Sequence, residues 1–509
     1  MSTSEPESTT PAHLEVRGEQ RLLIDGKLVE ASGGASFVNI DPATEAVLGD
    51  TADGTTADMD SAIAAARRAF DETNWSTDHS FRRRCLEQFH SALEAHKEEL
   101  RAVVVAEAGS PIALTYAIQV DLPFDDVPYW AEQAERYPYD RSLPERTVFG
   151  QRTRRMILRE ATGVVGAITP WNFPLFLNMA KLSPALAAGN TVVLKPAPDT
   201  PWSATMLGRL VAEETDIPPG VVNVVASADH MVGEVLTTDP RVDMITFTGS
   251  TATGRRIMAK AADTVKKVFL ELGGKSAKIV LDDVEDLGAA VGGIAMGVCV
   301  HSGQGCAITT RLLLPRSRYD EGVELAAAMM AGVPYGDPWD PSKLAGPLVS
   351  AKQRERVLGY IEKGKAEARL VLGGSVPADF PKGFFVEPTL FADVDSKAVI
   401  AQEEIFGPVL SVLAFDDDDD AVRIANDSIY GLSGDVTAAS EERAMAVARR
   451  VRTGTMGING GVYLAPDAPF GGYKQSGVGR EHGTEGFEEY LETKLVAIPA
   501  EAGSPKLTG

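Results

Sequence analysis

The stretch GVVGAITPWNFPLFLNMAKLSPALAAGNTVVLKP, residues 163–196, decides the class of fold. It opens and closes with short β-branched runs, GVVGAIT and TVVLKP, bounded by Gly, Asn and Pro, and the LFLNMAKLSPALAAG between them carries apolar residues at helical spacing. The alternation continues: VVNVVA from 221, VDMITFTG from 242 and KKVFLEL from 266 read as strands, separated by the helix-like WSATMLGRLVAEET, MVGEVLT and TATGRRIMAKAA. Strands alternating with helices predict parallel β-α-β units in a doubly wound sheet, whose ligands bind at the carboxyl ends of the strands.

A second alternating series starts after Gly273–Gly274. It runs through SAKIVL, a long apolar helix ending near residue 300, RLLLP, a helix through VELAAAMMAG, then ERVLGYIEKGKAEA, RLVLGG and VLSVLAF, and it ends near VRTGTMGING and PFGGYKQSG. The fold class is therefore α/β, with two doubly wound domains hinged near residues 273 and 274. Residues 62–72, 81–104 and the stretch from 128 read as helices covering the first sheet. Residues 141–159 have strand-like content, and TKLVAIPA from 493 offers them, or another chain, a strand partner.

Bulk properties exclude several classes. The 509 residues carry 72 acidic against 49 basic side chains, a net charge of −23, which argues against nucleic acid because phosphate binding needs a basic face. The most apolar segment, around 288–300, is far short of the roughly 20 residues that span a bilayer, so no membrane association is expected. Three cysteines make no disulfide framework, which fits a reducing compartment and predicts a cytoplasmic protein. Residues 1–18 are polar and acidic, unlike a secretory signal, and read as a disordered tail. The run DDDDD at 416–420 lies where a helix begins, so helix capping and solvation are expected there and no metal site is assigned.

The chemistry gathers around HSGQGC, residues 301–306. Cys299 sits among Val, Ala and Met and reads as core, whereas Cys306 follows Gly303, Gln304 and Gly305, a sequence that ends a helix and lets the backbone come close to a ligand. Asn172, in ITPWNFP at the end of a strand, offers an amide N–H to a developing oxyanion. Glu271, in ELGGK at the end of KKVFLEL, lies at the same sheet edge and suits a general base toward water. FTGSTATGR at 247–255 reads as a strand, a turn of small residues and a helix amino terminus able to receive an anion.

Taken together and in this order, PWNFP, ELGGK, GQGC, EEIFGPV and PFGGYKQSG resemble the aldehyde dehydrogenase superfamily, over about residues 20 to 497. The resemblance implies that Cys306 is the catalytic thiol, Glu271 the general base and Asn172 an oxyanion donor alongside the Cys306 backbone N–H. It implies that Lys195 and Glu404 hold cofactor ribose hydroxyls, that Ser250 lies by the pyrophosphate and Gly249 beside it binds the cofactor, that Phe406 packs near the nicotinamide ribose and that Trp171 lines the cofactor cleft. It divides the chain into a cofactor-binding domain over 19–140 and 160–272, a catalytic domain over 273–487, and an oligomerisation hairpin with a C-terminal strand over 141–159 and 488–509, giving a homodimer or homotetramer. The implied reaction is oxidation of an aldehyde to the acid, through a thiohemiacetal and a thioester on the cysteine, with hydride passing to NAD or NADP. The presence of Glu271 speaks against relatives that transfer the acyl group to coenzyme A.

One departure bears on the cofactor. Many NAD-using relatives continue K-P-x-E after the lysine, and KPAPDTP puts Pro198 at the place of that acid, removing one barrier to NADP. With Asp199 adjacent and no new arginine beside it, NAD is the expected cofactor. Phe173, Leu177, Ala180 and Leu464 are expected to line an apolar pocket suited to medium-chain aliphatic or aromatic aldehydes. The alternative from another class is a thiol hydrolase or acyltransferase pairing Cys306 with His301 and needing no nicotinamide. A non-catalytic chain is disfavoured because thiol, acid and amide are all present in order.

Overall fold

Strand Val164–Ile168 sits inside an eight-stranded sheet, with Met244–Thr248 and then Lys267–Glu271 on one side and Thr191–Lys195 and then Val222–Val224 on the other. These five strands run parallel. The protein, a computed structural model described over residues 16–500, departs from Val164–Ile168 in both directions, which creates a switch point between that strand and Met244–Thr248. Ligands of such sheets bind in the crevice that opens there. Antiparallel strands close both edges: Leu22–Ile24 with Lys27–Val29 at one, and Gly477–Val478 at the other. That last strand belongs to a stretch expected with the second domain, so the chain returns to the first sheet near its end.

The register lines up the site. Ile168 pairs with both Lys195 and Phe247, and Thr248 pairs with Glu271, so the loops after these strands leave from one edge. The strand interiors are sealed: Val164, Val165, Ala167, Val192 and Leu194 are wholly buried, as near-continuous apolar runs covered by helices on both faces require.

The second sheet has seven strands, in the order Arg369–Leu372, Thr389–Ala392, Val409–Phe415, Thr309–Pro315, Ser276–Val280, Gly434–Thr437 and Gly457–Ile458, all parallel except the first. A third sheet joins Asp140–Val148, Gln151–Ala161 and Leu491–Pro499 in antiparallel pairs, so the tail strand does find residues 141–159.

Two helix readings are refined. The helix expected at 62–72 starts at Thr56, because Thr55 and Asp58 form a capping box. The single helix expected over 81–104 is two, His79–Ala95 and Lys97–Ala108, broken at His96, whose ring contacts Glu99 and Glu214 at 3.0 and 2.6 Å. Each half buries its own face, Leu86, Phe89 and Leu93 in one and Leu100, Val103 and Val104 in the other, so apolar spacing runs through the break unmarked. The aspartate run behaves as capping predicts: the Asp417 side chain accepts from the Asp420 N–H at 2.8 Å and caps helix Asp418–Asn426. Of the expected disordered tail, residues 1–15 lie outside the described residues, as do 501–509 of the C-terminal segment. Residues 16–18 are described, and Gly18 packs on the Trp202 ring.

Candidate active site

Cys306 reaches the cleft because the backbone before it takes an unusual path. His301, Ser302 and Gly303 have φ of 49°, 53° and 73°, three successive left-handed residues. For the two that carry a Cβ this conformation costs roughly 1–2 kcal/mol each. Burial and hydrogen bonds hold it: Ser302 Oγ donates to the Gly346 carbonyl at 2.5 Å, and Gln304 donates to the carbonyls of His301 and Pro347 while accepting from Val349 N. Gly303 is packed so tightly that a Cβ would collide with the Gly407 carbonyl. Cys85 and Cys299 are wholly buried, whereas Cys306 is partly exposed.

Cys306 lines a cleft of about 250 Å³ together with Trp171, Asn172, Gly249, Ser250, Glu271, Glu404 and Phe406. Of the twelve further residues singled out from the sequence, seven therefore meet the thiol in one space. Gly273 and Gly274, the expected hinge, form part of this packing: a Cβ at 274 would lie 2.6 Å from the Cys306 carbonyl oxygen, and one at 273 would strike the Glu404 carboxylate. Glu404 accepts from Gly274 N at 2.9 Å, and burial pushes its carboxyl up to about 7.

Asn172 is 4% exposed and braced from three sides. Its Nδ2 donates to the Gln304 carbonyl at 2.9 Å, and its own carbonyl accepts from His301 Nε2 at 2.7 Å and Gln119 Nε2 at 3.1 Å. An amide carries two N–H groups, so one remains beyond the bond to Gln304. Glu271 is 1% exposed and neither carboxyl oxygen has a hydrogen-bond partner. Burial holds this carboxyl well above the usual carboxylate range, Glu481 adds to the push, and Lys181 opposes it. Lys181 and Glu481 form a sealed ion pair at 2.6 Å. The low-dielectric surroundings also push the Cys306 thiol well up, with Glu271 and Glu404 adding to the effect.

His301 is fully buried and its Nε2 is engaged by the Asn172 carbonyl, which fixes the proton on that nitrogen; Nδ1 has no partner, and burial lowers the ring to about 4. A ring held neutral and turned to the backbone does not serve as base to the thiol, so the hydrolase alternative loses its second member.

The remaining residues fall outside this cleft. Lys195 is 5% exposed, its Nζ donates to the carbonyls of Pro196 and Ser227, burial lowers it to about 8, and it lines a separate cavity of about 430 Å³. Phe173 packs edge-on to His301 at 5.3 Å and lies beside Gly305, next to the thiol. Leu177 and Ala180 are buried on the helix that follows, and Leu464 is half-buried in a loop whose Tyr463 stacks on Phe470. Trp171 and Phe406 meet edge-to-face at 5.4 Å across the cleft. Thr248, Gln353 and Arg356 also line it. Sequence reading passed over them because Gln353 and Arg356 are ordinary polar residues at a helix start, and only the crossing of two sheets turns that start toward the thiol.

The cleft suits a dinucleotide. It lies at the switch point, helix Thr251–Ala261 presents its amino terminus behind Ser250, and the Thr248 hydroxyl there is buried without a partner. A thiol, a buried acid and an amide in a nucleotide cleft between two α/β units define an enzyme that attacks carbonyl carbon and passes hydride. The sequence profile of the Aldehyde dehydrogenase family matches residues 28–496, and the chain belongs to that family. It is 43% identical to the 3-succinoylsemialdehyde-pyridine dehydrogenase of a Pseudomonas species, covering 94% of this chain and 99% of that one. It is 41% identical to the geranial dehydrogenase of Castellaniella defragrans, covering 94% and 98%. The crystal structure of Mycobacterium tuberculosis aldehyde dehydrogenase complexed with NAD+ superposes with a TM-score of 0.90 at 42% identity, covering 96% and 100%.

Proposed function

We propose that this chain oxidises medium-chain aliphatic or aromatic aldehydes to carboxylic acids with NAD, using Cys306 as nucleophile, Glu271 as base and Asn172 as oxyanion donor. The observation that carries this is the meeting of those three side chains in one cleft at the switch point. The Cys306 sulfur adds to the carbonyl carbon, giving a thiohemiacetal whose oxyanion is met by the free N–H of Asn172 and the Cys306 backbone N–H. When bound, the nicotinamide accepts the hydride that leaves this carbon. Glu271 then removes a proton from water, which attacks the thioester and frees the acid and the thiol. Burial in the cleft raises both groups and so disfavours their ionised forms, and a bound positive charge would favour those forms.

Trp171, Gly249, Ser250, Glu404 and Phe406 would hold the cofactor in the cleft, with Lys195 at its far end. The first sheet and its helices form the cofactor-binding domain, and the second carries the thiol. The pocket reading rests on Phe173, Leu177, Ala180 and Leu464, which carry no charge, and relatives named for geranial and for a pyridine-bearing semialdehyde are consistent with it. Assembly to a homodimer or homotetramer would use the projecting third sheet, where Phe149 is fully exposed and Leu495 is 60% exposed. Three unpaired thiols suit a reducing cytoplasm. No helix among the described residues is long and apolar enough to cross a membrane.

The test is a panel of aldehydes assayed with NAD and NADP, with Cys306→Ala as blank. Hexanal and benzaldehyde should exceed succinate semialdehyde and betaine aldehyde in kcat/KM, and NAD should exceed NADP. A reversed substrate order, or a tenfold preference for NADP, overturns the corresponding part.

A further inference from the structure

The 430 Å³ cavity beyond the main cleft is walled by helices His230–Thr238 and Thr251–Ala261 and floored by Ile168 and Lys195 at the strand ends. Its charged lining is uneven: Lys195, Arg256 and Lys260, with His230, stand against a single acid, Glu234. Arg256 Nε donates to the Glu234 carboxylate at 2.7 Å, and Lys260 Nζ lies 3.7 Å from it. Glu234 is 19% exposed, its two partners about half exposed. The residue before it, Gly233, rests on the Lys195 stem, where a Cβ would lie 3.0 Å from Cδ. Glu234 therefore lies one residue from the lysine assigned to the ribose.

A 2′-phosphate brings about two negative charges to this end of a dinucleotide, and sites accept it with a neighbouring arginine or reject it with an acid. After the strand ending at Lys195, position 198 is an exposed proline, and the neighbouring Asp199 faces the charge of Lys352 and is not among the acids that act on Lys195. Arg256 and Lys260, left to themselves, would form a phosphate site. Both are already committed to Glu234. The other acids acting on Lys195, Asp53 and Asp229, are engaged elsewhere: Asp53 accepts from Ser227 Oγ and Ala228 N at 2.9 Å, and Asp229 caps its helix at Met231 N.

We propose that Glu234 sets the cofactor choice, rejecting the 2′-phosphate by occupying Arg256 and Lys260 and by opposing its charge with its own. The acid that disfavours NADP thus arrives from the helix after the next strand and replaces the one missing after Lys195. Specificity of this kind is a difference between two affinities and rests on the repulsive element as much as on the attractive one. The proposal rests on the reading of Lys195 as the ribose end of the cofactor site.

Calorimetric titration of the full-length protein with adenosine 5′-monophosphate and adenosine 2′,5′-bisphosphate tests it without any turnover, alongside fluorescence titration with NADH. The wild-type protein should favour the monophosphate. In Glu234→Gln the bisphosphate should bind at least fivefold more tightly while the monophosphate changes less than twofold, and Arg256→Gln added to that variant should cancel the gain. An unchanged preference in Glu234→Gln, or an equal change for both nucleotides, overturns the proposal while leaving the cofactor reading intact. Failure of the wild-type protein to bind NADH overturns both.

Discussion

The side-chain amide of Asn172 donates to the backbone carbonyl of Gln304 at 2.9 Å, tying the loop that leaves the first sheet to the segment that presents Cys306 from the second. One N–H of this amide is structural and the other is free for chemistry. Asn172→Ala should lower kcat by about 10²–10³, the usual loss when one oxyanion donor is removed. It should also lower the melting temperature, because the Gln304 carbonyl loses its donor. Steady-state kinetics and a thermal melt on the same preparation check both; an unchanged kcat removes Asn172 from the chemistry.

Thiol accessibility separates the three cysteines. Cys85 and Cys299 are fully buried and pushed up to about 12 by that burial, while Cys306 is partly exposed. Iodoacetamide should modify one thiol per folded chain and three per unfolded chain, read by intact and peptide mass spectrometry. The Cys306 thiol is raised above its ordinary value, so it is protonated at neutral pH without cofactor and its alkylation should quicken as pH rises into the alkaline range. Labelling of Cys299 first would contradict the exposure of the site.

The role proposed for Glu271 lies in the second half of the reaction. Glu271→Gln should still form the thioester, so rapid mixing should show a burst of reduced nicotinamide near one per subunit, then turnover slowed by about 10²–10⁴. In the wild-type protein the raised carboxyl must lose its proton to act as base, so deacylation should slow as pH falls through that raised value. Loss of the burst itself would place Glu271 in the first step instead.

His301 makes stability depend on acidity. Its folded-state value is lowered to about 4 from an ordinary 6.5, so the unfolded chain binds the extra proton over that window. Stability from this group is intact above pH 6.5 and is lost progressively as pH falls toward 4, by about 3 kcal/mol in all at 1.36 kcal/mol per pH unit. His301→Gln, which keeps a donor for the Asn172 carbonyl, should flatten this part of the pH–melting profile. A profile of unchanged slope would show that another group controls it.

Much of the architecture was legible because it depends on short-range periodicity. The runs GVVGAIT, TVVLKP, VDMITFTG and KKVFLEL are β-branched and bounded by turn residues, and each became a strand. Thr389–Ala392 and Gly434–Thr437 are not legible in the sequence because a strand of four residues is too short for its period to be told from chance. The break at His96 was missed because both helices keep one apolar spacing.

The chain's own residues determined that a thiol, an acid and an amide would stand at ends of predicted strands and turns, since local composition dictates where a strand stops and a helix begins. Tertiary structure alone decided that Lys181 and Glu481, 300 residues apart, would act on Glu271 in opposite senses, that His301 would turn its ring to a backbone carbonyl, and that Glu234 would hold Arg256. The physical reason is that charge and burial depend on distance in space, and distance in space is set by how two sheets close on each other.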